Sequence, residues 1–393
     1  MNSMKSLLNK NSTPAQTVIS TVCKITKGEK VLIVANPETN LIAQDIYTEA
    51  LAAGAHPTLI FQPAKKSMDS AEPAVIGALK SEPDVFFSIS HVKLGKDPEA
   101  AANPYKTEDG RTFDHIFDYL LDGKKTMRAV WTPGLTKDMF DRTVNIDYAL
   151  LADRCAKLGK KYDNAVSVHV TAPGGTDITV PVEGRKGLFD DGDFSKPGSG
   201  GNIPAGEVFI SPVVGDPKVE GSGCNGTIVF DGSMTFGDGD SIIKTPIEVT
   251  VKNGFVQTVK GAEEAARLLK TIEDAEAKAV KMEKEGKLPA GQGEIYKRNA
   301  RNIGELGIGL NPAATITGNM LEDEKAFRTC HFAIGQNYDG DAPSLIHLDG
   351  VVRNPTIVIT YKDGSTFTAL ENGELKIQDS ILRKTIGNIE KSL

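Results

Sequence analysis

The sequence lacks the features that most often place a protein outside the cytoplasm. Its four cysteines (Cys23, Cys155, Cys224 and Cys330) lie far apart and form no C-x-x-C pair, as is usual for reduced thiols rather than for disulfides or a structural zinc knuckle. No apolar run approaches the roughly 18 to 20 residues of a membrane-spanning helix. The first twenty residues lack the apolar segment of a secretory signal. We therefore expect a cytoplasmic protein without a membrane partner.

An excess of positive charge is also missing. The chain has 45 Lys and Arg against 52 Asp and Glu, a formal net charge of -7, which argues against a nucleic-acid partner that needs a basic face. With 39% hydrophobic and 25% charged residues, the composition is that of an ordinary globular protein. At 393 residues the chain exceeds the size at which one hydrophobic core stops growing, so we expect two domains.

The first half of the chain has the pattern of a parallel sheet. Residues 30–61 contain an apolar run, an amphipathic stretch and a second apolar run, which predicts a strand–helix–strand unit. Further buried strands are predicted at 84–90 and 127–131. The turn at 35–40 has no glycine, so the dinucleotide-binding fingerprint is absent. We expect an open parallel α/β domain over residues 1–160.

The second half, residues 161–393, changes to short alternating runs joined by hairpin dipeptides such as Asn253-Gly254. One long helix is predicted over 262–286, and the Gly- and Ser-rich segment 190–202 is predicted to be a loop. The pattern indicates a mixed α+β domain built on antiparallel sheet.

Candidate metal ligands collect in this second half. His347 and Asp349 form an H-x-D triplet, whose first and third side chains share one face of a strand. Taken alone, such a triplet is also typical of a His–Asp pair on the surface that binds no metal. Glu207 opens an otherwise apolar segment and Glu305 lies between glycines, and a carboxylate buried in either place needs a partner.

His331 and Tyr338 complete a set of oxygen and nitrogen donors without a thiolate. Such a set suits one or two divalent ions such as Zn, Co or Mn. Lys325 and Arg328 lie near His331 in the sequence and are alternatives for stabilising an oxyanion, although the acidic and basic residues at 323–325 are also typical of a structural ion-pair corner. We expect the metal site to lie on the antiparallel sheet of the C-terminal domain.

At these residues the sequence resembles the thermophilic metallo-aminopeptidases, the leucyl aminopeptidase-like family of aminopeptidase T and aminopeptidase S type. The matching blocks are NIPAGEVFISP (202–212), GTIVFD (226–231), ELGIGLNP (305–312), NMLEDEK (319–325), HFAIG (331–335) and HLD (347–349). Each block is short, and their order along the chain makes the combination specific.

The resemblance implies a homodimeric exopeptidase that admits short peptides to an internal cavity and removes their N-terminal residues through a metal-activated water. It implies six metal ligands: Glu207, Glu305, His331, Tyr338, His347 and Asp349. A general base is also required, and Glu207 and Glu305 are both candidates for that role. The segment between His331 and His347 is shorter than the family's pattern, which leaves substrate size open.

A ring-cleaving 2,5-dihydroxypyridine dioxygenase, which holds one Fe(II) by two His and one Asp, is the alternative resemblance. That family has a His where this sequence has Glu305, and it lacks a Glu at the position of Glu207. Two His and one carboxylate with open positions suit oxygen activation, so Glu305 favours hydrolysis. A descendant that keeps the fold only as a binding module is a third hypothesis, and the intact ligand set argues against it.

Overall fold

The computed structural model describes residues 12–66 and 69–377. Residues 1–11, which carry part of the segment examined for an export signal, lie outside the described residues. The helices are α1 Pro14–Thr17, α2 Asn40–Ala52, α3 Pro73–Leu79, α4 Pro98–Ala102, α5 Ile116–Asp118, α6 Lys137–Thr143, α7 Tyr148–Gly159, α8 Glu263–Lys284, α9 Gln292–Asn299 and α10 Met320–Asp323. None of these helices is long and apolar enough to cross a membrane.

The strands of the first half are β1 Lys30–Ala35, β2 His56–Phe61, β3 Val85–Ile89, β4 Tyr105–Lys106, β5 Thr112–Phe113, β6 Arg128–Trp131, β7 Ala165–Thr171, β8 Asp177–Pro181, β9 Leu188–Asp190 and β10 Gly200–Asn202. Those of the second half are β11 Glu207–Ile210, β12 Asn225–Phe230, β13 Ser233–Phe236, β14 Gly239–Ile242, β15 Ile247–Lys252, β16 Phe255–Lys260, β17 Ile303–Gly309, β18 Thr329–Gly335, β19 His347–Arg353, β20 Thr356–Tyr361, β21 Thr366–Glu371 and β22 Glu374–Leu375.

The chain divides into two compact units, residues 1–152 with 190–205 and residues 153–189 with 206–393. This division differs from the predicted boundary at 160. The segment 190–205 belongs to the first unit because β10 pairs in parallel with β6 at the edge of its sheet. The prediction of a loop over 190–202 was therefore wrong for its last three residues, and also for Asp190, which ends β9. Glycine-rich chain carries no strand signal of its own, and the partner strand supplies the order.

The first unit contains the predicted open parallel sheet, with strand order β10-β6-β3-β1-β2. Its apolar runs became strands because both faces are covered: the last five residues of β1 and all five of β3 are buried. The amphipathic stretch between β1 and β2 became α2, which buries Ile42, Ala43 and Ile46.

The second unit contains a seven-stranded sheet, β14-β13-β19-β18-β17-β11-β9, and an eight-stranded sheet, β16-β15-β12-β8-β7-β20-β21-β22. Antiparallel pairing dominates both sheets, as predicted. Asn253 and Gly254 adopt positive φ angles of 54° and 87° in the turn between β15 and β16, the conformation that a two-residue hairpin turn requires. The predicted long helix is α8. The fold class, a parallel α/β sheet combined with antiparallel sheets, is confirmed.

Leu79→Ala should destabilise the first unit by roughly 2–5 kcal/mol, because the side chain is fully buried in the core between α3 and the parallel sheet. The matched control is Leu51→Ala in α2, since Leu51 is 56% exposed and its loss should change stability by less than about 0.5 kcal/mol. Urea unfolding followed by far-UV circular dichroism measures both variants. Equal effects would show that α3 does not depend on this contact.

Candidate metal centre

Four neighbouring strands of the seven-stranded sheet carry five of the six predicted ligands. Glu207 begins β11, Glu305 lies in β17, His331 in β18, and His347 and Asp349 in β19. The antiparallel register places these side chains on one face, because directly opposite residues and residues two apart share a face. Sequence spacing alone could align His347 with Asp349. The other three are brought together by strand pairing.

Small residues make the room for these side chains. On the same face, Gly307 lies opposite His331, and Ala333 lies opposite both Glu305 and Asp349. A Cβ atom on Gly307 would overlap the imidazole of His331. The group that approaches Gly307 is thus the ring of a predicted ligand.

Glu305 lies between the two imidazoles. Its Oε1 is 3.0 Å from Nε2 of His331, and its Oε2 is 3.5 Å from Nε2 of His347. Glu207 approaches His331 with an Oε2–Nε2 distance of 3.4 Å, and Asp349 approaches His347 with an Oδ1–Nε2 distance of 3.4 Å. Two groups of three potential ligands result: Glu207, Glu305 and His331, and Glu305, His347 and Asp349. Glu305 belongs to both groups.

The orientation of His347 is fixed from outside the cluster. Its Nδ1 donates a hydrogen bond of 2.8 Å to the backbone carbonyl of Gln336. That bond leaves Nε2 facing the carboxylates, as is usual when a backbone carbonyl orients a metal-binding imidazole.

The donors fit divalent cations. Oε2 of Glu207, Oε2 of Glu305 and Oδ1 of Asp349 are buried and lack a hydrogen bond, since an imidazole Nε2 lies 3.4 to 3.5 Å from each of them. Leaving such groups unpaired costs several kcal/mol in total, because each has lost its hydration. Two carboxylates and one imidazole in each group are the ligand types preferred by Zn, Co or Mn.

The charges of this cluster shift its pKa values. Burial opposes the charge of Glu305, but His331 and His347 outweigh it and lower the pKa of Glu305 to about 2. Burial also opposes the charge of His331, and Glu305 outweighs it and raises the pKa of His331 to about 9. Asp349 and Glu305 likewise raise the pKa of His347 well above its ordinary value, against the effect of burial. In the metal-free protein, protons on the imidazoles compensate the carboxylates.

Lys325 and Glu324 lie beside the cluster and contact it more closely than the sequence indicated. Lys325 is fully buried; its Nζ lies 3.0 Å from Oε1 of Glu207 and also binds Glu324. Burial raises the pKa of Glu324 to about 8, against the effect of Lys325. The predicted ion-pair corner is thus part of the site.

Tyr338, the sixth predicted ligand, lies at the rim of the cluster. The residue is 59% exposed, and its ring centre lies 5.2 Å from that of His347 and 5.2 Å from that of Phe209. Its role as a metal ligand stays a prediction.

The loop that carries Tyr338 is held by Arg185. The Nη atoms of Arg185 bind Asp339 at 2.7 Å and Asp341 at 2.6 Å. Arg328, by contrast, binds Glu374 and the carbonyl of Asn372. These contacts give Arg328 a structural role away from the ligand face.

Together, the fold and the site define a two-unit α/β protein with a cluster of carboxylates and imidazoles suited to metal ions. The family model described as 2,5-dihydroxypyridine 5,6-dioxygenase (NicX) matches residues 145–367. The chain belongs to this family. The sequence matches no curated protein significantly.

Several solved structures match the fold, and two of them cover more than nine tenths of both chains. One is the 2,5-dihydroxypyridine dioxygenase of Pseudomonas putida KT2440, with 17% identity, a TM-score of 0.65, and coverage of 93% of this chain and 96% of that chain. The other is wild-type AmpT of Thermus thermophilus, with 17% identity, a TM-score of 0.61, and coverage of 93% and 98%. At this identity the likenesses establish the fold alone. The family match agrees with the ring-cleaving alternative better than with the aminopeptidase prediction.

Gly307→Ala should displace the imidazole of His331, because the added methyl group would occupy the position of the ring. We expect a loss of divalent-ion affinity of at least about tenfold, equivalent to roughly 1.4 kcal/mol. Isothermal titration with Zn or Mn measures it. The matched control is Gly77→Ala in α3, where nothing lies within 4 Å of the added Cβ. Unchanged affinity in Gly307→Ala would show that His331 does not bind the ion.

The stability of the metal-free protein should fall with rising pH. Because the pKa of His331 is raised from 6.5 to about 9, its contribution to the free energy of unfolding is fully present below pH 6.5 and is lost as the pH rises through 9. Urea unfolding in the presence of a chelator measures this. His331→Gln should remove much of the decline in this window. An identical decline in the variant would assign it to other groups.

Proposed function

We propose that the protein is a metal-dependent hydrolase that removes the N-terminal residue of short peptides. The observation that carries the proposal is the position of Glu305, which belongs to both groups of potential ligands. A carboxylate shared between two neighbouring positions is the arrangement of two-ion hydrolases. Each group has one imidazole and two carboxylates, whereas oxygen-activating Fe(II) sites prefer two imidazoles and one carboxylate.

Glu207, Glu305 and His331 would hold one ion, and Glu305, His347 and Asp349 the other. Divalent ions there would polarise a carbonyl oxygen and lower the pKa of water. The chain's own residues provide the rest. Gln336 fixes the ring of His347, and Lys325 fixes the carboxylate of Glu207 through the 3.0 Å contact.

Proton transfer is assigned to Glu324. Glu207 and Glu305 were the expected general bases, but Glu305 is shared by both groups and Glu207 is bound by Lys325. Glu324 belongs to neither group and shares Nζ of Lys325 with Glu207, so its carboxyl would take a proton from water and return it to a leaving amine.

A substrate with a free α-amine suits the chemistry of the site. A carboxylate of the cluster, which contains Glu207, Glu305, Glu324 and Asp349, would accept a hydrogen bond from the ammonium group. The proposal keeps a short peptide as substrate, a homodimer as the working assembly and the cytoplasm as the location.

A mononuclear Fe(II) ring-cleaving dioxygenase is the second candidate. The family match over residues 145–367 favours it, and so does the likeness to the dioxygenase of Pseudomonas putida KT2440. His347, Asp349 and one further ligand would hold the iron in that case.

The deciding experiment reloads metal-depleted protein separately with Zn, Co, Mn or Fe(II). It measures amine release from aminoacyl anilides and dipeptides, and oxygen uptake on a dihydroxypyridine. We expect metal-dependent release from free-amine substrates and none from N-acetylated ones. Oxygen uptake with Fe(II) and no peptide cleavage would establish the dioxygenase instead.

Three Glu→Gln variants divide the roles. Glu305→Gln should lose bound ions and nearly all turnover. Glu324→Gln should keep its ion stoichiometry, measured by elemental analysis, and lose about a hundredfold in kcat. Glu374→Gln, which alters only the surface pair with Arg328, is the matched control and should keep both. Full turnover in Glu324→Gln would return the proton-transfer role to Glu207 or Glu305.

A further inference from the structure

A second concave site lies wholly within the first unit, far along the sequence from the metal ligands. A cavity of about 560 Å³ opens beside Ser88 and Ser90 at the end of β3 and beside Trp131 at the end of β6. Open parallel sheets bind ligands outside the carboxyl ends of their strands, and the volume is within the range of small-molecule sites.

The floor of the cavity has unused hydrogen-bonding capacity. Ser88 and Ser90 are 5% and 3% exposed, and their hydroxyl oxygens are 2.8 Å apart. One hydroxyl donates to the other, so the second hydroxyl hydrogen has no acceptor among the residues that the structure describes. A buried donor of this kind is costly unless a ligand accepts from it.

One wall is aromatic. The ring of Phe117 meets that of Trp131 edge to face, with centres 5.9 Å apart, and both rings line the cavity. A half-buried aromatic wall of this kind binds flat or apolar groups, because such groups bury its remaining apolar surface.

The mouth carries both signs of charge. Lys66 and Lys93 line it together with Asp114 and Asp118, and within 12–66 and 69–377 none of the four has an ion-pair partner. Asp97, a further acid of the lining, is already occupied by backbone N–H groups of Glu99, Ala100 and Ile116. Burial raises the pKa of Asp118, and His115 partly opposes this effect.

We propose that this cavity binds a zwitterion with an aromatic side chain: a free aromatic amino acid or a short peptide that carries one. The ammonium group would meet Asp118, the carboxylate would meet Lys93 and a serine hydroxyl, and the side chain would lie against Trp131. A ligand with a single charge would leave either the lysines or the aspartates without a partner of opposite charge.

Trp131 is the chain's single tryptophan, so indole fluorescence reports on this cavity. The full-length protein is titrated, with a chelator present, with phenylalanine, N-acetylphenylalanine, phenylalaninamide, glycine and the dipeptide Phe-Leu. We expect saturable fluorescence changes with phenylalanine or Phe-Leu, about tenfold weaker binding of the two singly charged analogues, and no binding of glycine. Tighter binding of phenylalanine than of Phe-Leu would identify a free amino acid as the ligand, and the reverse order would identify a short peptide.

Two variants remove, one at a time, the protein charges that the two ligand charges would meet. Asp118→Asn should weaken phenylalanine but not N-acetylphenylalanine, and Lys93→Met should weaken phenylalanine but not phenylalaninamide. Circular dichroism checks that both variants are folded, and calorimetry with wild-type protein detects binding that leaves the fluorescence unchanged. Equal binding of all the phenylalanine derivatives, or no binding by either method, would overturn the proposal.

The test is independent of the metal centre. Glu305→Gln should show the same fluorescence titration as the wild type, because no residue of the cavity belongs to either ligand group. A loss of the signal in Glu305→Gln would contradict the assignment to this cavity. Failure of peptide hydrolysis with an intact titration would instead overturn only the proposed function.

Discussion

The carboxylate of Glu305 between two imidazoles is the interaction on which the organisation of the second unit depends. A charge buried in the middle of a sheet is tolerated only when opposite charge or a cation compensates it. The strands beside β17 supply that compensation, with His331 on one neighbour and His347 on the next. Gly307 and Ala333 keep the positions between these side chains small, so the polar groups can meet on one face of the sheet.

Compensation extends beyond the ligands. Lys325 is fully buried and joins Glu207 to Glu324, so a second set of charges supports the first. Buried ion pairs of this kind add little net stability, and their removal leaves unpaired charges that cost much more. The arrangement therefore favours precise placement of carboxylates over stability, which is the usual compromise at chemical sites.

Much of the fold could be predicted because its signals are local. Apolar runs marked β1, β3 and β6, and Asn253-Gly254 marked a hairpin. The strand Gly200–Asn202 could not be predicted, since its order comes from pairing with a distant strand. The sequence singled out five side chains that the sheet brings together, but it could not indicate the pairing of Gly307 with His331, which also depends on a distant strand. The burial of Lys325 was hidden as well, because a lysine that follows three acids has the pattern of a solvated surface.

The crossing of the chain between its two units has a consequence for synthesis on the ribosome. Residues 190–205 complete the sheet of the first unit only after the hairpin of β7 and β8, which belongs to the second unit, has been made. Domains generally fold as the chain emerges, N-terminal part first. Here the first unit is complete only when about fifty residues beyond its main segment have been made. Until then β6 is an unpaired edge of the sheet, which pairs only when β10 emerges.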